Sequence, residues 1–200
     1  GTGVVAVTAG LNILDAQTDT VGGIDANGFA IQTGDARVEN IIGSAARLQA
    51  GGSIGVAGNP LDSAVATLAS QSGTSSYLLE TNGITVGTVG PVSIERVNLD
   101  STTTTITAAA LGNSSAGGHY KLETISGDLS VAHTITAVDQ LQLAAAGVGS
   151  NLTLNVAVTT TNGPISLLAR NNINQNVGGN VLVSTGAGTI FARAVDGAIG

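Results

Sequence analysis

One pattern is written four times between residues 120 and 200. It reads YKLETISGDLSV at 120–131, LQLAAAGVGSNLTL at 141–154, ISLLARNNINQ at 165–175 and IFARAVDGAIG at 190–200. Each copy alternates apolar and polar residues, reaches a small residue, turns on Gly, Asn, Asp or Ser, and resumes with an apolar side chain. The small residue is Thr124, Ala145, Ala169 and Ala194, at steps of 21, 24 and 25 residues. Alternation sends every second side chain to one face. A single strand cannot bury that face alone. Stacked on the next copy it can, and its backbone edges become paired as well. The pattern therefore predicts one coil of a β-solenoid per copy.

The turns fit that reading. Ser126–Gly127–Asp128, Asn171–Asn172 and Asp196–Gly197 are residues that tolerate a sharp bend. Apolar residues flank each bend, as in Leu122 and Leu129 or Leu167 and Ile173, which places two inward side chains around one corner. Leu122, Leu129, Leu143, Leu167, Ile173 and Ile199 are the expected stacked core.

Composition narrows the class. Aromatic residues are 2% and charged residues 10% of the chain, against about 25% charged in an ordinary globular domain. The apolar set is Ala, Val, Ile and Leu, which suits a narrow interior where each side chain sits above its equivalent. At roughly 22 residues per coil the length gives about nine coils of 20–25 residues, a rod near 40 Å long. The expectation is an all-β, right-handed parallel β-helix occupying 1–200 as one segment, with irregular, loop-bearing coils over 1–119 and regular coils over 120–200. Both ends break off inside the pattern, so residues 4–9 and 190–195 are expected to be edge strands and the segment a window of a longer chain. An isolated 1–200 segment is then expected to polymerise or aggregate unless capped.

Earlier copies are looser. GVVAVTAGLNI at 3–13 pairs Val7 with Ile13 around Gly10, and ARLQAGGSIGV at 46–56 pairs Leu48 with Ile54. Both match the spacing of Leu167 and Ile173. Phe29, Ile31 and Thr33 alternate. After Asn59–Pro60, the run Leu61–Asp62–Ser63–Ala64–Val65–Ala66–Thr67–Leu68 has both helical and alternating spacing, and a strand leading into a corner is favoured. Ser101–Thr107 reads as a polar strand and Gly112–Gly118 as a loop.

GGSIGVAGNPLDSAVATLAS (51–70), SYLLETNGITVGTV (76–89) and GPISLLARNNINQ (163–175) resemble the repeat regions of giant bacterial surface and secreted proteins of the filamentous-haemagglutinin-like type. The resemblance covers most of the chain. It implies a right-handed parallel β-helix acting as an adhesin stalk, matrix or filament component, at the cell surface or outside the cell. Its expected partners are neighbouring coils of the same parent chain or head-to-tail copies, with cell-surface glycans as a candidate ligand class.

Net charge is −7 and the six basic residues, Arg37, Arg47, Arg96, Lys121, Arg170 and Arg193, are scattered. That argues against nucleic acid and anionic membrane as partners. The sequence has no run of about 18 apolar residues, so no segment of it is expected to span a membrane. There is no cysteine, which removes disulfides and thiolate metal sites.

Chemistry-bearing constellations are sparse. Asp25–Ala26–Asn27–Gly28 resembles part of a calcium loop but lacks the first acidic ligand and the distal Glu, so it reads as a turn. His119 and His133 lack metal-pair spacing and read as solvent-facing or turn residues. Asp128 with Asp139, or Glu123 with Lys121, would have to converge across coils to serve a carbohydrate-active site. Thr102–Thr105, Thr107 and Thr159–Thr161 do not recur on every coil and reflect β-propensity. Asn171, Asn172, Asn174, Asn176 and Asn180 are candidates for structural ladders between coils. Asn113 and Asn151 head glycosylation-type triplets. The sequence therefore predicts no enzyme, no catalytic, cofactor-binding or metal residue and no cofactor. The alternative is a carbohydrate-binding or carbohydrate-active β-helix.

Overall fold

A computed structural model describes residues 3–16, 21–32, 39–176, 181–186 and 188–200. Thr33, Arg37 and Asn180, which figure in the reading above, lie outside them. Every regular element among the described residues is a strand. In chain order these are β1 (Val4–Ala9), β2 (Val21–Ile24), β3 (Ala30–Gln32), β4 (Ile41–Ile42), β5 (Ala45–Ala50), β6 (Leu61–Ala64) and β7 (Thr67–Ser72). Then follow β8 (Ser76–Glu80), β9 (Ile84–Val86), β10 (Val92–Val97), β11 (Thr103–Ala108) and β12 (Ser114–Ala116). The clean repeats supply β13 (Tyr120–Thr124), β14 (Leu129–Val131), β15 (Ile135–Ala137), β16 (Leu141–Ala145), β17 (Leu152–Leu154) and β18 (Val158–Thr160). Last come β19 (Ile165–Ala169), β20 (Ile173–Gln175), β21 (Leu182–Ser184) and β22 (Ile190–Ala194).

Two large parallel sheets share these strands. A seven-stranded sheet runs β22-β19-β16-β13-β8-β6-β4, and an eleven-stranded sheet takes β1, β5, β7, β9, β12, β14, β15, β17, β18, β20 and β21. The chain alternates between them, so each strand lies beside its counterpart one repeat earlier. The register confirms the spacing of the pattern: Thr124 pairs with Ala145, Ala145 with Ala169 and Ala169 with Ala194. Leu78, Leu122, Leu143 and Leu167 form the neighbouring inward column, and all four are buried. Each such leucine removed from water contributes about 1.5–3 kcal/mol. One continuous aliphatic cluster extends from Ile41 to Val181.

β7 is a fork. Its start, Thr67 and Leu68, pairs with β9, whereas its end, Gln71 and Ser72, pairs with β12. Between β9 and β12 the chain leaves the sheet as the antiparallel hairpin β10–β11, closed at its base by Val89 and Leu111. Before the fork a repeat has two strands, as in β6–β7. After it a repeat has three, as in β13–β14–β15.

Several expectations need correction. Among the described residues seven strands stack in the smaller sheet, against about nine coils expected, and the segments 55–60 and 90–110 consume chain without adding strands to it. The copies at 3–13 and 46–56 are out of phase with the later ones. Leu48 lies in the eleven-stranded sheet, and Ile54 is level with Ile165 through Ser76, Tyr120 and Leu141. An alternating strand, a Gly turn and an apolar residue occur at two corners of the repeat, and the pattern does not distinguish them. The loop expected at Gly112–Gly118 contains β12, which Ser114 holds against β7. Ile199 stacks on Ile173 but stays 58% exposed on the last level. The run after Pro60 is strand, corner, strand.

Candidate functional site

The outer face of the seven-stranded sheet carries the most elaborate side-chain chemistry. Its outward positions form two columns: Tyr77, Lys121, Gln142, Ser166 and Phe191, and beside it Asp62, Leu79, Glu123, Ala144, Leu168 and Arg193. An outward column should be wet. In the second column Asp62, Leu79, Glu123, Ala144 and Leu168 are instead all buried. Phe29 and Ala30, at the turn and start of β3, account for the cover over Glu123, Ala144 and Leu168. Their hairpin, β2–β3, lies across the sheet as a strap.

The strap is anchored at named points. Phe29 is buried against Ala144 and Leu168, and the Arg170 guanidinium stands 4.6 Å from the centre of its ring, a cation–π geometry. Ala30 N donates to Glu123 Oε1 at 2.9 Å. Arg193 donates to Asn27 Oδ1 at 2.9 Å and to the Ala26 carbonyl at 3.2 Å. Asp25 Oδ2 lies 3.6 Å from Arg170. Glu123 also pairs with Lys121 at 3.3 Å.

Asp25–Gly28 is a turn. Asp25 Oδ1 accepts from the amides of Asn27 and Phe29 at 2.8 and 3.0 Å, and Gly28 supplies the positive φ of +94°. Desolvation alone would raise the Asp25 pKa. The Phe29 and Asn27 amides and the Arg170 charge outweigh it and hold the carboxyl below its ordinary value. The carboxylate oxygens are thus committed to the turn and to the docked arginine.

The other candidate residues are not brought together. His119 is half-buried at the corner before β13, with the Tyr77 ring 6.4 Å away. His133 sits at the corner between β14 and β15 and meets Thr88 Oγ1 at 3.2 Å. Asp128 and Asp139 stand at opposite ends of the strand level. Asp128 Oδ1 accepts from the Asn151 amide at 2.8 Å. That contact opens a ladder: Asn151 Oδ1 accepts from Asn172 N, and Asn172 Oδ1 from Ala198 N. Asn176 donates to Asn155 Oδ1 in a second ladder. Asn151 is therefore engaged at its amide, while Asn113 is exposed. The Thr102–Thr105 run lies in the exposed hairpin β10–β11, where Asp100 Oδ1 accepts from Thr102 Oγ1 at 2.6 Å. Among the described residues no group of three or more His, Cys, Asp or Glu could hold a metal ion.

The strap's docking site went unrecognised in the sequence. Its partners are separated by 93 to 167 residues, beyond any local pattern. A signal did exist. Leu78–Leu79, Ala144–Ala145 and Leu167–Leu168 break the alternation with two consecutive apolar residues, which means that both faces of the strand are covered there.

Between the strap tip and the sheet runs a groove of about 360 Å³, lined by Ile24, Asn27, Gln142, Ser166, Phe191 and Arg193 among others. Phe191 is 52% exposed. No family model matches the chain, and no curated protein or solved structure matches it either.

Proposed function

We propose that the chain is a right-handed parallel β-solenoid and serves as a non-catalytic structural rod of a bacterial cell-surface or extracellular protein of the filamentous-haemagglutinin-like type. An adhesin stalk, matrix or filament component are the roles that such a rod fills. The observation that carries this reading is the continuous register of the seven-stranded sheet, in which each repeat adds one parallel strand. Parallel connections within one sheet are overwhelmingly right-handed, which sets the hand. The docked strap and the Asn ladders support it too, because they bridge successive strands through engaged polar groups. Partners would add at the open edges of β1 and β22, as further coils of the parent chain or as another copy. Solution scattering tests the shape: an elongated particle about 20 Å in cross-section is expected, two sheets about 10 Å apart with side chains outside. Turnover of any member of a polysaccharide panel would overturn the non-catalytic assignment.

Carbohydrate binding is a second reading, favoured by the groove at the strap tip. A half-exposed aromatic ring beside amide, hydroxyl and guanidinium groups is the chemistry that stacks a sugar ring and bonds its hydroxyls. A glycan array probed with the protein and with Phe191→Ala separates the two. Binding lost in the variant supports the second reading, and no binding by either protein removes it.

A further inference from the structure

The chain contains three Asn–Gly pairs, at 27–28, 82–83 and 162–163. Asn–Gly is the dipeptide most open to self-modification, because glycine offers no side chain to shield its amide nitrogen. The fold treats the three differently. At the strap tip Gly28 N donates to the Asp25 carbonyl at 3.0 Å, and Asn27 Oδ1 is held by Arg193. Attack by that nitrogen would cost both bonds. Gly163 is buried, accepts from Thr160 and Ser184 through its carbonyl, and lies so close to the Asp139 carbonyl that no Cβ would fit. Its peptide cannot rotate without separating two levels. Asn82 and Gly83 are both exposed at the corner between β8 and β9. Among the described residues nothing bonds the Gly83 N–H or the Asn82 side chain, and only the Asn82 backbone N–H is tied, to Glu80 Oε1 at 3.2 Å.

We propose that Asn82 is a site of spontaneous deamidation and isoaspartate formation, and that the fold protects Asn27 and Asn162 from the same reaction. Solvent base takes the Gly83 amide proton as its nitrogen attacks Asn82 Cγ. The N–Cγ bond forms, the Cγ–Nδ2 bond breaks, and the amide nitrogen leaves as ammonia. Water then opens the succinimide. Attack at Cγ gives aspartate. Attack at the α-carbonyl gives isoaspartate, with the chain routed through the side chain. The second product lengthens the backbone by one atom where Gly83 lies against the Asp128 backbone, so the modified corner packs less closely on the level beyond it.

The six basic residues make the test clean, because trypsin places the three pairs in separate peptides, 1–37, 48–96 and 122–170. The folded protein is held in mildly alkaline buffer at body temperature, digested, and read by mass spectrometry and by isoaspartyl methylation. The peptide 48–96 is expected to convert about tenfold faster than 1–37, the factor that one hydrogen bond on the attacking Gly28 amide is worth, and also faster than 122–170, where packing against the Asp139 backbone holds Gly163. Denatured chain should convert all three at comparable rates. Gly83→Ala should slow only the Asn82 reaction, and Arg193→Ala should speed only that at Asn27. Conversion at Asn82 no faster than at Asn27 or Asn162 in the folded protein overturns the proposal, as does the same ranking in the denatured chain.

Discussion

Residues 41–119 and 120–200 build the same stack by different means. Over 120–200 the interior is mainly aliphatic, with Tyr120, Thr124 and Thr160 among the buried hydroxyl-bearing exceptions, and the strand register repeats from level to level. Over 41–119 the interior holds Ser63, Ser70, Ser72, Ser76, Glu80 and Ser114, all buried. The fork explains part of this. Between the stretch of β7 paired to β9 and the stretch paired to β12, Ser70 N has no strand partner, and Ser114 Oγ accepts from it at 3.1 Å. The Tyr120 hydroxyl then meets Ser70 Oγ at 3.0 Å. Burial pushes the Tyr120 pKa up, against the hydrogen bonds from Ser70 and Ser114, which lower it. At the corner between β6 and β7, Val65 N points inward and donates to Glu80, which also accepts from Ser63 Oγ at 2.6 Å. A regular stack satisfies its backbone with itself. An interrupted one needs buried side chains to do so.

The largest effect expected from breaking this comparison is in the regular half. Leu167→Asp places an unpaired carboxylate in an apolar column and should cost more than about 4 kcal/mol. Because contacts run between neighbouring levels, hydrogen exchange should rise over 141–194 and stay low over 41–80. Thr103→Asp, on the exposed hairpin, should shift stability by less than about 0.5 kcal/mol. Equal effects would refute the assignment of inside and outside.

Next is the strap. Phe29→Ala should lose about 3 kcal/mol of docking and expose Ala144 and Leu168, with both sheets intact. Faster exchange confined to the strap and the amides beneath it would show this. Global unfolding would mean that the strap is part of the core.

Ser114→Ala probes the fork itself. It leaves Ser70 N buried without an acceptor and should cost about 1–3 kcal/mol, whereas Ser130→Ala, in the regular half, should cost less. A thermal melt of each suffices, and the reverse order would break the comparison.

Acid gives the smallest effect. The folded Asp25 pKa is depressed, so its stabilising contribution is present above the unfolded value, near 3.9, and is lost as pH falls through the lower folded value. Strap exchange should therefore rise in that acid window in the native protein and not in Asp25→Asn.

How much of this was legible follows from the same contrast. The columns Thr124 to Ala194 and Leu122 to Leu167 could be read from spacing alone, since nothing interrupts the chain between them. The phase of Leu48 and Ile54 could not, because both corners carry the same local pattern. The fork, β12 and the strap site depend on contacts between distant segments, and no local propensity encodes those. The consecutive apolar pairs at 144–145 and 167–168 were the one readable trace of the strap.

The central claim is a single stack crossing the fork. Val4, Ala45, Thr67, Thr85, Ser130, Thr153 and Asn174 form one column by register, and the chain has no cysteine to interfere with labelling. Spin labels on a cysteine at position 4 and a second at 85, 130, 153 or 174 should give distances rising in even steps, about 14, 19, 24 and 29 Å at one strand spacing per level. Distances that level off or fall beyond position 85 would contradict the continuous stack.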